Sequence, residues 1–237
     1  MLDSLQLQIR DSLIQDGGPY YHEFEVDNFF REPWNAYSSL VFFVPIIFWL
    51  LKLKGEYKQH LIILAILPLL FLNGLGSTLY HGFRDVPFFL YLDFLPASGM
   101  SVLLSTYLWK YILNDTLKSI LVVATFYCVG GFSWYFTVQV KDLEEIGPNI
   151  GYFFVGLAFI TPIVIILRKT AFYKWKHAVF GVLSLGIALL CRLLDHPSEL
   201  FSEHLPQGTH FLWHLFTVLA VFQIGFYVYY IGKLKKS

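Results

Sequence analysis

The amino-acid sequence predicts an all-α fold, a seven-transmembrane helix bundle with its N-terminus outside or luminal and its C-terminus cytosolic. Three observations predict it. The 237 residues are 56% hydrophobic and only 14% charged, where a soluble domain carries roughly 25% charged residues because its surface must face water. The mean hydropathy is +0.57, and the charges sit in clusters between apolar runs long enough to cross a bilayer. The lysines and arginines are also distributed unequally between alternate connections.

Taken in order, residues 1–36 read as an extramembrane segment. It holds Asp3, Asp11, Asp16, Glu23, Glu25, Asp27 and Glu32 against Arg10 and Arg31, so it lacks the basic start and early apolar stretch of a cleavable signal peptide. Leu2, Leu5, Ile9 and Leu13 fall at helical spacing, as in a short helix lying on the membrane surface. A frayed terminus is the alternative.

Residues 37–232 carry the spans. A helix needs about 20 residues to cross the hydrocarbon core, and seven candidates meet that, at about 37–53, 60–80, 91–110, 119–138, 149–167, 177–195 and 209–231. Pro45, Pro68 and Pro162 interrupt three of them, which membrane helices tolerate where neighbours satisfy the freed carbonyls. Residues 233–237 form a short basic tail. Its Lys233-x-Lys235 fits both a dilysine retrieval signal and ordinary charge bias.

Orientation follows from the cations. On the N-terminal side lie Arg10, Arg31, Arg84, Lys141 and Arg192, and the other twelve of the 17 lysines and arginines lie opposite. Positive charge accumulates on the cytosolic side. The expected setting is the endoplasmic reticulum or Golgi in a eukaryote, or the cytoplasmic membrane in a bacterium. With 17 acidic residues balancing the 17 basic ones, nothing points to nucleic acid. Cys128 and Cys191 both fall in apolar segments, which argues against a disulfide.

Metal-ligating and ionisable side chains at membrane depth are expensive and mark function. Two stretches stand out: Asn73-Gly74-Leu75-Gly76-Ser77-Thr78-Leu79-Tyr80-His81, with Asp93 twelve residues on, and His210-Phe211-Leu212-Trp213-His214 opening the last span. Ser77 and His81 are four apart, on one helical face. His210 and His214 repeat that spacing, which lets one helix present two imidazoles to one ion. The up-and-down order brings all three segments to the same outer end, and three imidazoles with an open fourth position suit a catalytic zinc site. Ser77 can instead bond back to its own helix, and Asp93 can instead cap the third span. His22, His60, His177, His196 and His204 read as solvated boundary residues.

These motifs resemble those of the alkaline ceramidases, within the membrane hydrolase superfamily that also holds the adiponectin/progestin receptors. Glu32-Pro33-Trp34-Asn35-Ala36-Tyr37-Ser38-Ser39 and Leu92-Asp93-Phe94-Leu95-Pro96 look specifically ceramidase-like. The resemblance implies a Zn2+ held by His81, His210 and His214, with Ser77 and Asp93 beside the ion and its water as catalytic residues. It implies a lipid amide such as ceramide as substrate, hydrolysed to a sphingoid base and a fatty acid. It also implies a Ca2+ site near the first span, for which Glu23, Glu25, Asp27, Asn28 and Glu32 supply oxygens. The same acids read equally as a solvated segment. Two rival functions stand beside the hydrolase: a lipid-sensing receptor with the same zinc site, and a haem protein using two of the histidines. The sequence leaves the oligomeric state open.

Overall fold

The structure is a computed structural model and describes residues 16–140, 143, 147–195 and 205–234. The expected surface helix over Leu2–Leu13, the boundary residues His196 and His204, and Lys235 of the tail lie outside the described residues. Among those described, every regular element is helical, and seven helices are long and apolar enough to cross a membrane. They are α1 (Pro33–Lys52), α2 (Leu61–Phe83), α3 (Pro87–Leu113), α4 (Thr116–Thr137), α5 (Gly147–Lys169), α6 (Trp175–Leu193) and α7 (His210–Leu234).

Each expected span falls on one of these helices, and the differences lie at the ends. Helix α1 begins at Pro33, four residues before the apolar run. A proline at the first helical position loses nothing there, since its missing N–H would be unpaired anyway. Within α1 the chain tightens into a 3-10 turn over Leu40–Phe42. Pro45 explains it, because a proline ring crowds the carbonyl four residues back and offers that carbonyl no N–H. Helix α3 also starts early, at Pro87. Asp93 is therefore in its second turn, and the capping role open to it in the sequence does not apply. Helix α4 does have such a cap: Asp115 accepts from Lys118 N at 3.0 Å.

The chain divides into two compact units. Met1–Ser98 with Lys176–Ser237 carries α1, α2, the first turns of α3, α6 and α7, and with them every candidate site residue. Inside it α1 packs against both α2 and α7. Gly99–Trp175 carries the rest of α3 with α4 and α5. There Trp109 Nε1 donates to the Ala158 carbonyl at 3.0 Å, and Gly130 lets the Phe154 side chain approach α4.

The tightest helix approach bears on the site. A Cβ on Gly76 would run into the backbone of Leu92 and Asp93, so only glycine lets α2 and α3 meet at that level. Ser77 is the next residue on α2, and the contact sets the distance between it and Asp93. Gly131, on α4, has nothing within 4 Å of where a Cβ would be. Gly76→Ala should lower stability by about 1–3 kcal/mol through overpacking, while Gly131→Ala should cost nothing. Thermal unfolding of the two variants in the same detergent checks the contrast.

Candidate metal centre

Helix α2 brings Ser77 and His81 to its last turns, and α7 opens on His210 and reaches His214 one turn later. The three imidazoles meet. His81, His210 and His214 are all buried, and their ligand-capable nitrogens lie within 4.8 Å of one another. Among the described residues this is the only group of three histidine, cysteine or acidic side chains that could hold a metal ion.

In His81 and His214 the outer nitrogen has a partner, which fixes which nitrogen faces inward. Glu32 accepts from His81 Nδ1 at 2.5 Å, leaving Nε2 buried with no hydrogen-bond partner. Ser38 Oγ donates to the Asn35 carbonyl at 3.1 Å and lies 2.7 Å from His214 Nδ1. The hydroxyl therefore accepts from Nδ1–H, and His214 Nε2 is the inward atom. His210 Nδ1 is likewise buried without a partner. A buried polar nitrogen left unpaired costs about 1–3 kcal/mol, and two converging ones fit a cation held between them. Carboxylate and hydroxyl partners on the outer nitrogens are what orient metal-binding imidazoles.

Ser77 and Asp93 sit beside this group. Ser77 Oγ lies 3.0 Å from Ser39 Oγ and 3.5 Å from His214 Nε2. The hydroxyl that bonds back to α2 belongs to its neighbour Thr78, at 2.8 Å from the Gly74 carbonyl. Asn73 Nδ2 donates to Asp93 Oδ1 at 3.0 Å and to its carbonyl at 2.6 Å, and the Asp93 carboxylate lies next to the Ser77 hydroxyl.

The five residues expected to hold calcium do not gather on one point. Glu23 caps α1, accepting from Trp34 N at 2.9 Å and Asn35 N at 2.6 Å. Glu25, Asp27 and Asn28 are exposed. Glu32 is buried, with one oxygen on His81 and the other on Arg84 Nη1. That guanidinium also donates through Nε to Asp16 at 2.6 Å and through Nη2 to the Pro19 carbonyl at 2.9 Å. Arg84 is thus the cation at Glu32. It ends α2 in the left-handed region, with φ 54°, and that turn carries its side chain back beneath the N-terminal segment.

That segment closes over the histidines. Arg31 N donates to the Gly82 carbonyl at 2.9 Å and Glu32 N to the His81 carbonyl at 3.1 Å. The Tyr21 ring lies 4.1 Å from that of His210 and 5.1 Å from that of His81, centroid to centroid. Burial raises the Tyr21 phenol far above its ordinary value, more than the opposing pull of Arg192, so Tyr21 packs there as a neutral ring. His60, expected to be solvated, is buried and stacked on Tyr229 with centroids 4.5 Å apart.

Glu32, Ser38, Ser39 and Tyr21 touch the histidines, Arg84 reaches Glu32 and Asn73 reaches Asp93, and sequence reasoning gave none of them that role. Asn73 had a visible signal, as an amide inside an apolar span. So did Ser38 and Ser39, adjacent hydroxyls at the head of another. No protein-family model matches the chain, and no curated protein matches it significantly.

Arg84→Met should destabilise the protein by about 3–5 kcal/mol, because it leaves Asp16 and Glu32 as buried carboxylates without their cation. Equilibrium unfolding of the variant beside the parent measures it. A loss under about 1 kcal/mol, the range of an exposed pair, would mean that the network is not closed to water.

Proposed function

We propose that this protein is a zinc-dependent membrane amidase that hydrolyses a lipid amide of the ceramide type, with its metal centre toward the outer or luminal face. The observation that carries the reading is the buried meeting of His81, His210 and His214, with a hydroxyl and a carboxylate beside them. Three neutral imidazoles with a position left open are the ligand set of catalytic zinc. The excess of lysine and arginine in the connections at the opposite end supports the orientation.

His81 Nε2, His210 Nδ1 and His214 Nε2 are the atoms that would hold the ion. When bound, zinc supplies Lewis acidity, lowering the pKa of water toward about 7 and polarising a carbonyl oxygen. Asp93 accepts the proton released as water attacks the amide carbon, and returns it to the nitrogen as the C–N bond breaks. Asn73 holds the Asp93 carboxylate in place for both transfers. Ser77 donates its hydroxyl proton in a hydrogen bond to the carbonyl oxygen as negative charge develops there. A lipid substrate is supported by the apolar groove between α2 and α3, lined by Leu69, Phe88, Tyr91, Leu92 and Leu95.

The haem reading loses support from the same geometry. The three imidazole centroids are 4.9–5.1 Å apart in every pairing, too close for a planar macrocycle to pass between any two. The receptor reading shares the metal centre, and turnover is what separates it from an enzyme.

Two measurements test the proposal. Single replacement of His81, His210 or His214 by Ala should sharply lower the zinc content of the purified protein by elemental analysis, since three protein bonds hold the ion. Three variants with stoichiometric zinc would remove the ligand assignment. With a panel of lipid amides and product detection by mass spectrometry, Asp93→Asn should lower turnover about 10²- to 10⁴-fold while zinc stays bound. Full activity in that variant would refute the role given to Asp93. A parent protein that binds zinc but releases no fatty acid would favour the receptor.

A further inference from the structure

The first residue of α7 is a ligand, so the direction in which that helix starts decides where His210 points. The residue before it does not cap the helix: the Thr209 hydroxyl is turned away, donating to the Cys191 carbonyl at 2.5 Å. The leading N–H groups are met from another element. Asp195, just past the end of α6, accepts from His210 N at 2.8 Å and from Thr209 N, both through Oδ1. Its second oxygen accepts from His22 N at 3.3 Å.

Asp195 is buried, and the packing around its carboxylate is specific. Gly208 adopts φ +67°, and a Cβ there would run into Asp195 Oδ1 and come within 2.9 Å of the His22 Cβ. One carboxylate therefore joins two pieces of backbone that bear on the same imidazole. The first is the start of α7. The second is the segment whose Tyr21 ring lies against His210. Helix N-termini are ordinarily capped by the residue at the boundary. Capping from a different helix costs the ordering of a further connection, but it ties the position of His210 to α6 and to the N-terminal segment together.

We propose that Asp195 is a positioning residue of the metal centre. One oxygen aims α7 so that His210 faces the ion, and the other holds Tyr21 against that same ring. The role rests on the three histidines being metal ligands. It differs from plain helix capping in its consequence, because a cap that only stabilises the fold leaves the affinity of the folded protein for metal unchanged.

The test uses the full-length protein in detergent, with zinc affinity measured by competition against a chromophoric chelator. Cobalt(II) in place of zinc reports coordination geometry through its visible absorption. Asp195→Ala should weaken zinc binding about 10- to 100-fold, as loss of an outer support of a metal site does, and should alter the cobalt spectrum. Asp195→Asn keeps an oxygen toward both α7 N–H groups and should recover most of the affinity. Gly208→Ala displaces the carboxylate while keeping it and every ligand, so it should also weaken zinc, and it decides the matter if Asp195→Ala does not fold. Parent-like affinity and cobalt spectrum in Asp195→Ala, or unchanged zinc affinity in Gly208→Ala, would overturn the proposal. A parent that binds no zinc would overturn the metal reading beneath it.

Discussion

Imidazole nitrogens buried at the ends of membrane-spanning helices must find partners, because lipid offers none. His81, His210 and His214 are 0%, 3% and 1% exposed, so bulk solvent does not satisfy their rings. Each ring has two nitrogens to satisfy. In His81 and His214 the outer one is bonded, to a carboxylate in one case and a hydroxyl in the other. What remains is a set of inward nitrogens close enough to share one ion. Placing two unpartnered nitrogens, His81 Nε2 and His210 Nδ1, together in an apolar surrounding is unfavourable unless a cation sits between them. The arrangement makes physical sense as a metal centre and poor sense as packing.

Much of the surrounding structure can be read as support for that convergence. Glu32 can orient His81 only if its own charge is answered, and Arg84 answers it. Arg84 in turn brings Asp16 and the Pro19 carbonyl to the same point, so the N-terminal segment is bound to the end of α2. Glu23 then caps α1 from eleven residues upstream, which holds the turn carrying Ser38 and Ser39 where His214 meets it. Asp16, Glu23 and Glu32 are thus occupied with protein N–H groups, an imidazole and a guanidinium, while Glu25 and Asp27 are exposed. The five residues expected at a calcium site are not gathered on one point, and at Glu32 the neighbouring cation is Arg84.

The spans were legible because crossing a bilayer takes a minimum apolar length, and that length is written in the sequence. Their ends were less so. Pro33 and Pro87 extend α1 and α3 beyond the apolar runs, and the extension of α3 places Asp93 in the second turn rather than at the start. His210 and His214 were legible through helical spacing, and His81 and Ser77 likewise. Arg84 was not, since a cation after an apolar run reads first as ordinary boundary charge. Its role depends on a left-handed turn at that residue, which only the folded chain displays. Asp195 was hidden for a related reason, since it caps a helix that begins fifteen residues later across a connection with no periodic pattern. Tertiary hydrogen bonds of this kind leave no local trace.

X-ray absorption at the zinc edge of the purified protein is the most direct test of the central claim. The account predicts one zinc ion per chain with three imidazole nitrogens at about 2.0–2.1 Å and a fourth, light-atom ligand, and with the multiple scattering that histidine rings produce. A shell of sulfur, a first shell without imidazole scattering, or protein that holds no zinc after incubation with it would contradict the account.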